Sequence, residues 1–181
     1  MQNHPTWGRL YSASDIVAFL GCRHRSTLDL RRLEGWDVQP VAADAAMQLV
    51  QDHGNRHELA HLAALRADGR RVVEIGKDLS LDDKLAATRQ AMAEGADVIF
   101  QATLLKPPFV GHADFLLRVE GPSRLGAHHY EVADTKLAKS NRAKFLVQLC
   151  LYGDLLEQEQ GRLPQTLQVV PLANPVELGA G

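Results

Sequence analysis

Asp134 and Lys136 stand two residues apart in "YEVADTKLAK", residues 130–139. In an extended strand such residues share a face, so a carboxylate and an ammonium point the same way. This is either an ordinary ion pair, which strands carry commonly, or a site that holds a divalent ion and a water beside a cation. A second acid-x-Lys triplet, Asp82 and Lys84 in "LDDK", falls in the first turn of a predicted helix. Acids there favour the helix dipole, and that triplet reads as structural.

The segment before it, "VGHADFLLRV" (110–119), alternates as a strand. His112, Asp114, Leu116 and Arg118 are expected on one face, and Gly111, Ala113, Phe115, Leu117 and Val119 on a core-facing one. Asp114 is then an acid among apolar neighbours, costly unless paired or bound to a cation. If the two strands are neighbours, Asp114 and Asp134 converge, and a divalent cation removes their repulsion. Glu131 falls on the face opposite Asp134 and is excluded from the group. On the helix that follows, Lys144, Gln148 and Tyr152 form one stripe, with Phe145, Leu146 and Leu149 on the core side. A glutamine and a tyrosine one turn apart suit hydrogen bonding to a phosphate or a base, or simply a half-buried amphipathic helix.

A competing constellation is His57-Glu58-Leu59-Ala60-His61, an H-E-x-x-H pattern on a predicted helix. Two histidines one turn apart bind zinc, and the glutamate polarises water. No downstream acid or histidine is evident as third ligand, and the pattern leaves Asp114, Asp134 and Lys136 unexplained.

The elements that must position these residues follow from periodicity and punctuation. Ser12 or Ser14 caps a helix broken at Gly21, and a second helix runs to about Leu33. A long helix is expected from Ala43 to Arg66, with Met47, Val50, Leu59, Leu62 and Leu65 in its apolar stripe and Gly54 interrupting it. "RRVVEI" reads as a short strand, and a helix capped by Ser80 ends at Gly95. Strands at 97–105, 110–119 and 129–137 precede a helix capped by Ser140 and ended by Gly161, and "LQVVPLA" is a last strand. This order predicts an α/β protein with a small mixed sheet flanked by helices.

The chain has 181 residues with 45% hydrophobic content, enough for one domain with a real core. No run of about 18 apolar residues predicts a membrane span. "MQNHPTWGRLYSASD" has neither the basic start nor the apolar middle of a signal peptide, so a cytoplasmic protein is expected. Cys22 and Cys150 are too few for a disulfide framework or a cysteine-rich zinc site. The net charge of −2 argues against indiscriminate nucleic-acid binding. Local basic runs exist nonetheless: Lys136, Lys139, Arg142 and Lys144 without an acid between them, and Arg23, Arg25, Arg31 and Arg32 with His24.

Taken in order, "GNRH", "GHAD", "DTK" and "QLCLY" resemble the motifs of the RecB-like branch of the PD-(D/E)xK nucleases. That branch carries G-x-x-H on a helix, G-x-x-D and D-x-K on strands, and Q-x-x-x-Y on a helix. The resemblance spans about residues 50 to 155, and "YSASDIVAFLGCRHRSTLDL" resembles the N-terminal segment of uncharacterised bacterial RecB-like nucleases. It implies a restriction-endonuclease-like core over 43–181, with 1–42 as a helical segment packed on it. It further implies hydrolysis of phosphodiester bonds in DNA, leaving a 5′-phosphate, as an exonuclease or an endonuclease in DNA repair or recombination. His57, Asp114, Asp134 and the Thr135 carbonyl would ligate Mg²⁺ or Mn²⁺, with Asp114, Asp134 and Lys136 catalytic and Glu58 an outer partner. Gln148 and Tyr152, with Lys139, Arg142 and Lys144, would contact the nucleic acid. Relatives often continue into further nuclease or helicase domains, which are therefore expected partners. Some relatives hold an iron–sulfur cluster with one upstream and three downstream cysteines; the downstream trio is missing here, so no cluster is expected. Two other functions compete: a catalytically weak nucleic-acid-binding module of a larger repair protein, and a zinc hydrolase using His57, Glu58 and His61.

Overall fold

The computed structural model describes residues 1–41, 44–136 and 142–171, with the side chains of Lys136, Arg142 and Pro171 outside the description. Lys139 and the expected cap Ser140 lie outside the described residues.

Along the chain come β1 (Gln2–His4), β2 (Gly8–Leu10), α1 (Ala13–Gly21), α2 (Arg23–Leu33), α3 (Ala45–Ala67) and β3 (Val72–Glu74). They are followed by α4 (Leu81–Ala93), β4 (Val98–Lys106), β5 (Phe109–Ser123), β6 (Gly126–Lys136), α5 (Arg142–Gln160) and β7 (Leu167–Pro171). Helix starts follow the side chains able to accept the first free N–H groups. Ser12 and Asp15 form a reciprocal capping box on α1, Asp44 caps α3, and Ser80 caps α4. The β1–β2 hairpin was not predicted, because three-residue strands are too short to show a period of two.

The main sheet has the order β3-β4-β5-β6-β7. β4, β5 and β6 form an antiparallel meander, and the outer strands β3 and β7 join parallel to their neighbours. The expected mixed sheet flanked by helices is present. On one face α4 and α5 bury Met92, Leu149, Leu155 and Leu156 against Ile99, Ala102, Ala113, Leu116, Tyr130 and Val132. On the other, Leu62 and Leu65 of α3 cover Val98, Phe100, Phe115 and Ala133. The N-terminal segment joins this body through Tyr11, which exchanges backbone hydrogen bonds with Pro108 (2.8 Å) and Val110 (2.9 Å). Among the described residues, no helix is long and apolar enough to cross a membrane.

Three expectations about faces need correction. Gly111 and Ala113 pack toward α5, but Phe115 packs toward α3 and Leu116 toward α5, so the alternation of β5 breaks at Asp114. The cause lies next door. Gln101 has φ +58, a left-handed conformation that non-glycine side chains rarely adopt. The β4–β5 register runs from Phe100↔Phe115 to Ala102↔Ala113, passing over Gln101 and Asp114. Second, Met47, Val50 and Leu59 of α3 are exposed, and only the helix's later turns reach the sheet. A periodic stripe shows which side of a helix is apolar, not whether a surface stands opposite. Third, Leu146 is exposed, while Tyr152 is buried beside Leu149. The stripe of α5 that meets the sheet is therefore rotated toward Gln148 and Tyr152.

Candidate active site

β5 and β6 pair as far as Phe115↔Ala133. One step further, Asp114 and Asp134 would face each other, and there the ladder stops. Asp114 thus keeps the register of both neighbouring strands but pairs with neither, facing Gln101 on one side and Asp134 on the other. Its carboxylate takes over where the ladder leaves off: Oδ2 accepts from the Thr135 backbone N–H and from Thr135 Oγ1, each at 2.9 Å. Two donors on one carboxylate oxygen set the side chain's direction. Thr135 was expected as a ligand through its carbonyl. Its N–H and hydroxyl hold Asp114, a role that nothing in the local sequence signals.

Asp134 is fully buried, on the α5 side of β6. Gln148 Nε2 donates to Asp134 Oδ1 at 3.0 Å and to the Tyr152 hydroxyl oxygen at 3.1 Å. A single amide therefore ties the carboxylate to the tyrosine, using both of its protons. The Tyr152 pKa is pushed up to about 12, first by burial and then by the nearby negative charges of Asp134 and Asp114. The phenol stays protonated at ordinary pH, and both carboxylates act on it.

Tyr152 reaches this position because residue 111 is glycine. A Cβ there would stand 2.8 Å from Leu155 Cδ1 and 2.8 Å from Tyr152 Cδ1. The absent side chain lets α5 lie directly on β5, three residues before Asp114.

His57 is buried, and its Nε2 is 3.1 Å from the Val170 carbonyl oxygen. Val170 pairs with Thr135, which in turn holds Asp114. One row across β7, β6 and β5 thus relates His57 to the carboxylate end of the sheet. The anchors of His57 and Asp114 remain two strand spacings apart, about 10 Å. Glu58 accepts from Gln101 Nε2, which brings α3 onto the irregular step of β4 beside Asp114. Nothing in the local sequence marks Gln101, since a single glutamine within a near-continuous apolar run gives no sign of a left-handed backbone.

The second histidine of H-E-x-x-H turns elsewhere. The His61 ring lies edge-on to Phe115, centroids 4.9 Å apart, and its Nε2 is buried with no hydrogen-bond partner among the described residues. Among the described residues, no three His, Cys, Asp or Glu side chains form a group able to hold a metal. The structure therefore gathers neither a zinc triad around His57 and His61 nor His57, Asp114 and Asp134 into a closed cage. Lys144 is exposed on α5, Arg142 opens that helix, and Lys136 ends β6 opposite Pro171.

Burial, reinforced by the neighbouring His57 and Arg70 side chains, lowers the His61 pKa from its ordinary 6.5. The unfolded chain then binds the proton more readily than the folded one, so stability rises with pH through this range. It is fully present above about pH 6.5 and is lost as the pH falls toward the lowered value. The melting temperature should therefore drop on acidification from pH 7.5 to 5.5, and His61→Leu should reduce that drop. An unchanged pH slope in His61→Leu would assign the dependence to other groups.

No protein-family model matches the chain, no curated protein matches it, and no solved structure matches its fold.

Proposed function

We propose that the protein is a divalent-metal-dependent nuclease that hydrolyses phosphodiester bonds in DNA, built on a restriction-endonuclease-like core of the RecB-like PD-(D/E)xK type. One observation carries the reading. Asp114 and Asp134 flank the point where β5 and β6 part, one held by Thr135 and the other by the Gln148–Tyr152 pair. Two acids brought together at the end of a ladder repel one another. A divalent cation between them would relieve that repulsion.

The donor chemistry fits magnesium. Mg²⁺ takes one or two protein carboxylates and leaves its other positions to water and phosphate oxygens. Two aspartates therefore suffice where no three-ligand cage forms among the described residues, and Mn²⁺ accepts the same hard oxygens. His57 is the imidazole donor we assign to the same end of the sheet. Its Nε2 on a backbone carbonyl leaves Nδ1 as the ligand atom, the usual orienting arrangement for a metal-binding histidine. The bound ion would supply an activated water and offset charge on the phosphate. Thr135 keeps the Asp114 carboxylate oriented. Gln148 keeps Asp134 oriented and, with the protonated Tyr152, presents hydrogen-bonding groups beside the scissile phosphate. Lys136, with Lys139 and Arg142, follows Asp134 in the chain and supplies positive charge for the nucleophile and the backbone. Further nuclease or helicase domains remain the proposed partners, and DNA repair or recombination the proposed setting.

The test is incubation of the purified protein with end-labelled single-stranded and duplex DNA in Mg²⁺, Mn²⁺, Zn²⁺ or EDTA. Cleavage with Mg²⁺ or Mn²⁺ that EDTA abolishes is the expected result. Tight binding without cleavage in any metal would replace the nuclease with a nucleic-acid-binding module. Zinc-dependent hydrolysis lost in His61→Ala would replace it with a zinc hydrolase.

A further inference from the structure

Gln101 of β4, Asp114 of β5 and Asp134 of β6 stand at one level of the sheet. At that level β4 and β5 both change face without changing register. Phe100 and Phe115 pack toward α3, whereas Ala102 and Ala113, two residues away in their strands, pack toward α4 and α5. Residues two apart in a regular strand share a face. The reversal therefore needs a backbone turned the other way, and Gln101 supplies it with φ +58.

A residue with a Cβ does not favour that conformation. Here the side chain is anchored: Gln101 Nε2 donates to Glu58 Oε1 of α3. Glu58 follows His57, whose Nε2 lies 3.1 Å from the Val170 carbonyl oxygen, so the turn of α3 that accepts from Gln101 is itself tied to β7. The consequence falls on Asp114. Ladder pairs flank it at Phe115 and Ala113, but none forms at Asp114 itself. Its carboxylate reaches instead across to the Thr135 N–H and hydroxyl, each at 2.9 Å. An extended residue at 101 would keep Phe100 and Ala102 on one face and return Asp114 to the ladder. Its side chain would then stand on a face of the sheet, not reach along it to β6.

We propose that Gln101 is a positioning residue: its left-handed backbone, anchored by Glu58, turns the Asp114 carboxylate toward Thr135. Its bearing on catalysis rests on the nuclease reading above, but the placement of Asp114 is measured without metal. Amide hydrogen exchange of the full chain in EDTA, read by NMR, compares Thr135 with Ala133, which is paired on both sides in the same strand. The ratio of the two rates separates a local change from a general loss of stability. Gln101→Gly, which takes φ > 0 without steric cost, should keep the wild-type ratio. Gln101→Val, β-branched and suited to extended backbone, should raise Thr135 exchange about tenfold or more relative to Ala133, the loss of one hydrogen bond to a charged group. Glu58→Ala should raise it likewise, but not in a Gln101→Gly background, where no anchor is needed. This pair of backgrounds also decides the matter if Gln101→Val does not fold. A wild-type ratio in Gln101→Val, a rise in Gln101→Gly, or a Glu58→Ala effect equal in both backgrounds overturns the assignment. Mn²⁺-dependent cleavage of (dT)20 by the wild type reports the nuclease reading separately. Cleavage with an unmoved Thr135 ratio overturns the role of Gln101 alone. The expected exchange pattern in a protein that cleaves with no metal overturns the nuclease alone.

Discussion

Asp134→Asn should lose metal-dependent cleavage, by about 10²–10³-fold or more, the scale set by removing a single group that stabilises transition-state charge. The substitution is nearly isosteric. The new amide oxygen can still accept from Gln148 Nε2, so the hydrogen bond to Asp134 Oδ1 at 3.0 Å has a successor. The charge is removed, and the second carboxylate oxygen becomes an amide NH2 donor. Because Asp134 is fully buried and lies across from Asp114, taking that charge away relieves both desolvation and repulsion. The melting temperature of the metal-free variant should therefore match or exceed that of the wild type while cleavage disappears. Loss of activity together with a stability gain marks a residue retained for chemistry. A variant that melts lower and still cleaves would make Asp134 a structural acid.

Gly111→Ala should be costly on two counts. Its Cβ would stand 2.8 Å from side-chain atoms of both Leu155 and Tyr152. These rings and branches are fully packed, so α5 or β5 must shift, at a cost of about 1–3 kcal/mol for overpacking. The shift falls on the helix that carries Gln148 and Tyr152, and it begins three residues from Asp114 in the chain. A displacement of about 1 Å at a catalytic group costs on the order of 10²-fold in rate. Thermal melts and Mn²⁺-dependent cleavage of (dT)20 check the two effects separately. An alanine variant with wild-type stability and rate would show that the close approach of α5 has no bearing on the site.

The order and type of the main elements were legible because the β4–β5–β6 meander and two of the capped helices announce themselves through their apolar strands and through Ser12 and Ser80, whereas the cap Asp44 falls inside the expected start of α3 at Ala43. Side-chain direction near the site was not. Alternation assigns Asp114 and Leu116 to one face, whereas Gln101 at φ +58 resets the pattern at that level of the sheet. Glutamine carries no local preference for such a backbone; tertiary packing imposes it, including the bond from Gln101 to Glu58. Backbone strain concentrates at functional sites when the surroundings over-determine it, and here it sits level with Asp114. Asp114, Asp134, Gln148 and Tyr152 were legible as one group, since two strands and the next helix must lie side by side. The placement of His57 was less so. It depends on where α3 crosses the sheet, and only the later turns of that helix touch it. The role of Thr135 was hidden by its own position, because a residue between Asp134 and Lys136 reads as a spacer.

The central claim is that Asp114 and Asp134 share one divalent ion. Its most direct measurement is a Mn²⁺ titration followed by the electron paramagnetic resonance signal of the free ion, with a non-cleavable phosphorothioate oligonucleotide present. The wild-type protein should remove one equivalent of Mn²⁺ signal per chain, and Asp114→Ala and Asp134→Ala should each leave that signal in solution. A wild-type titration that overlays the oligonucleotide alone, or signal loss that survives in both variants, would contradict the account.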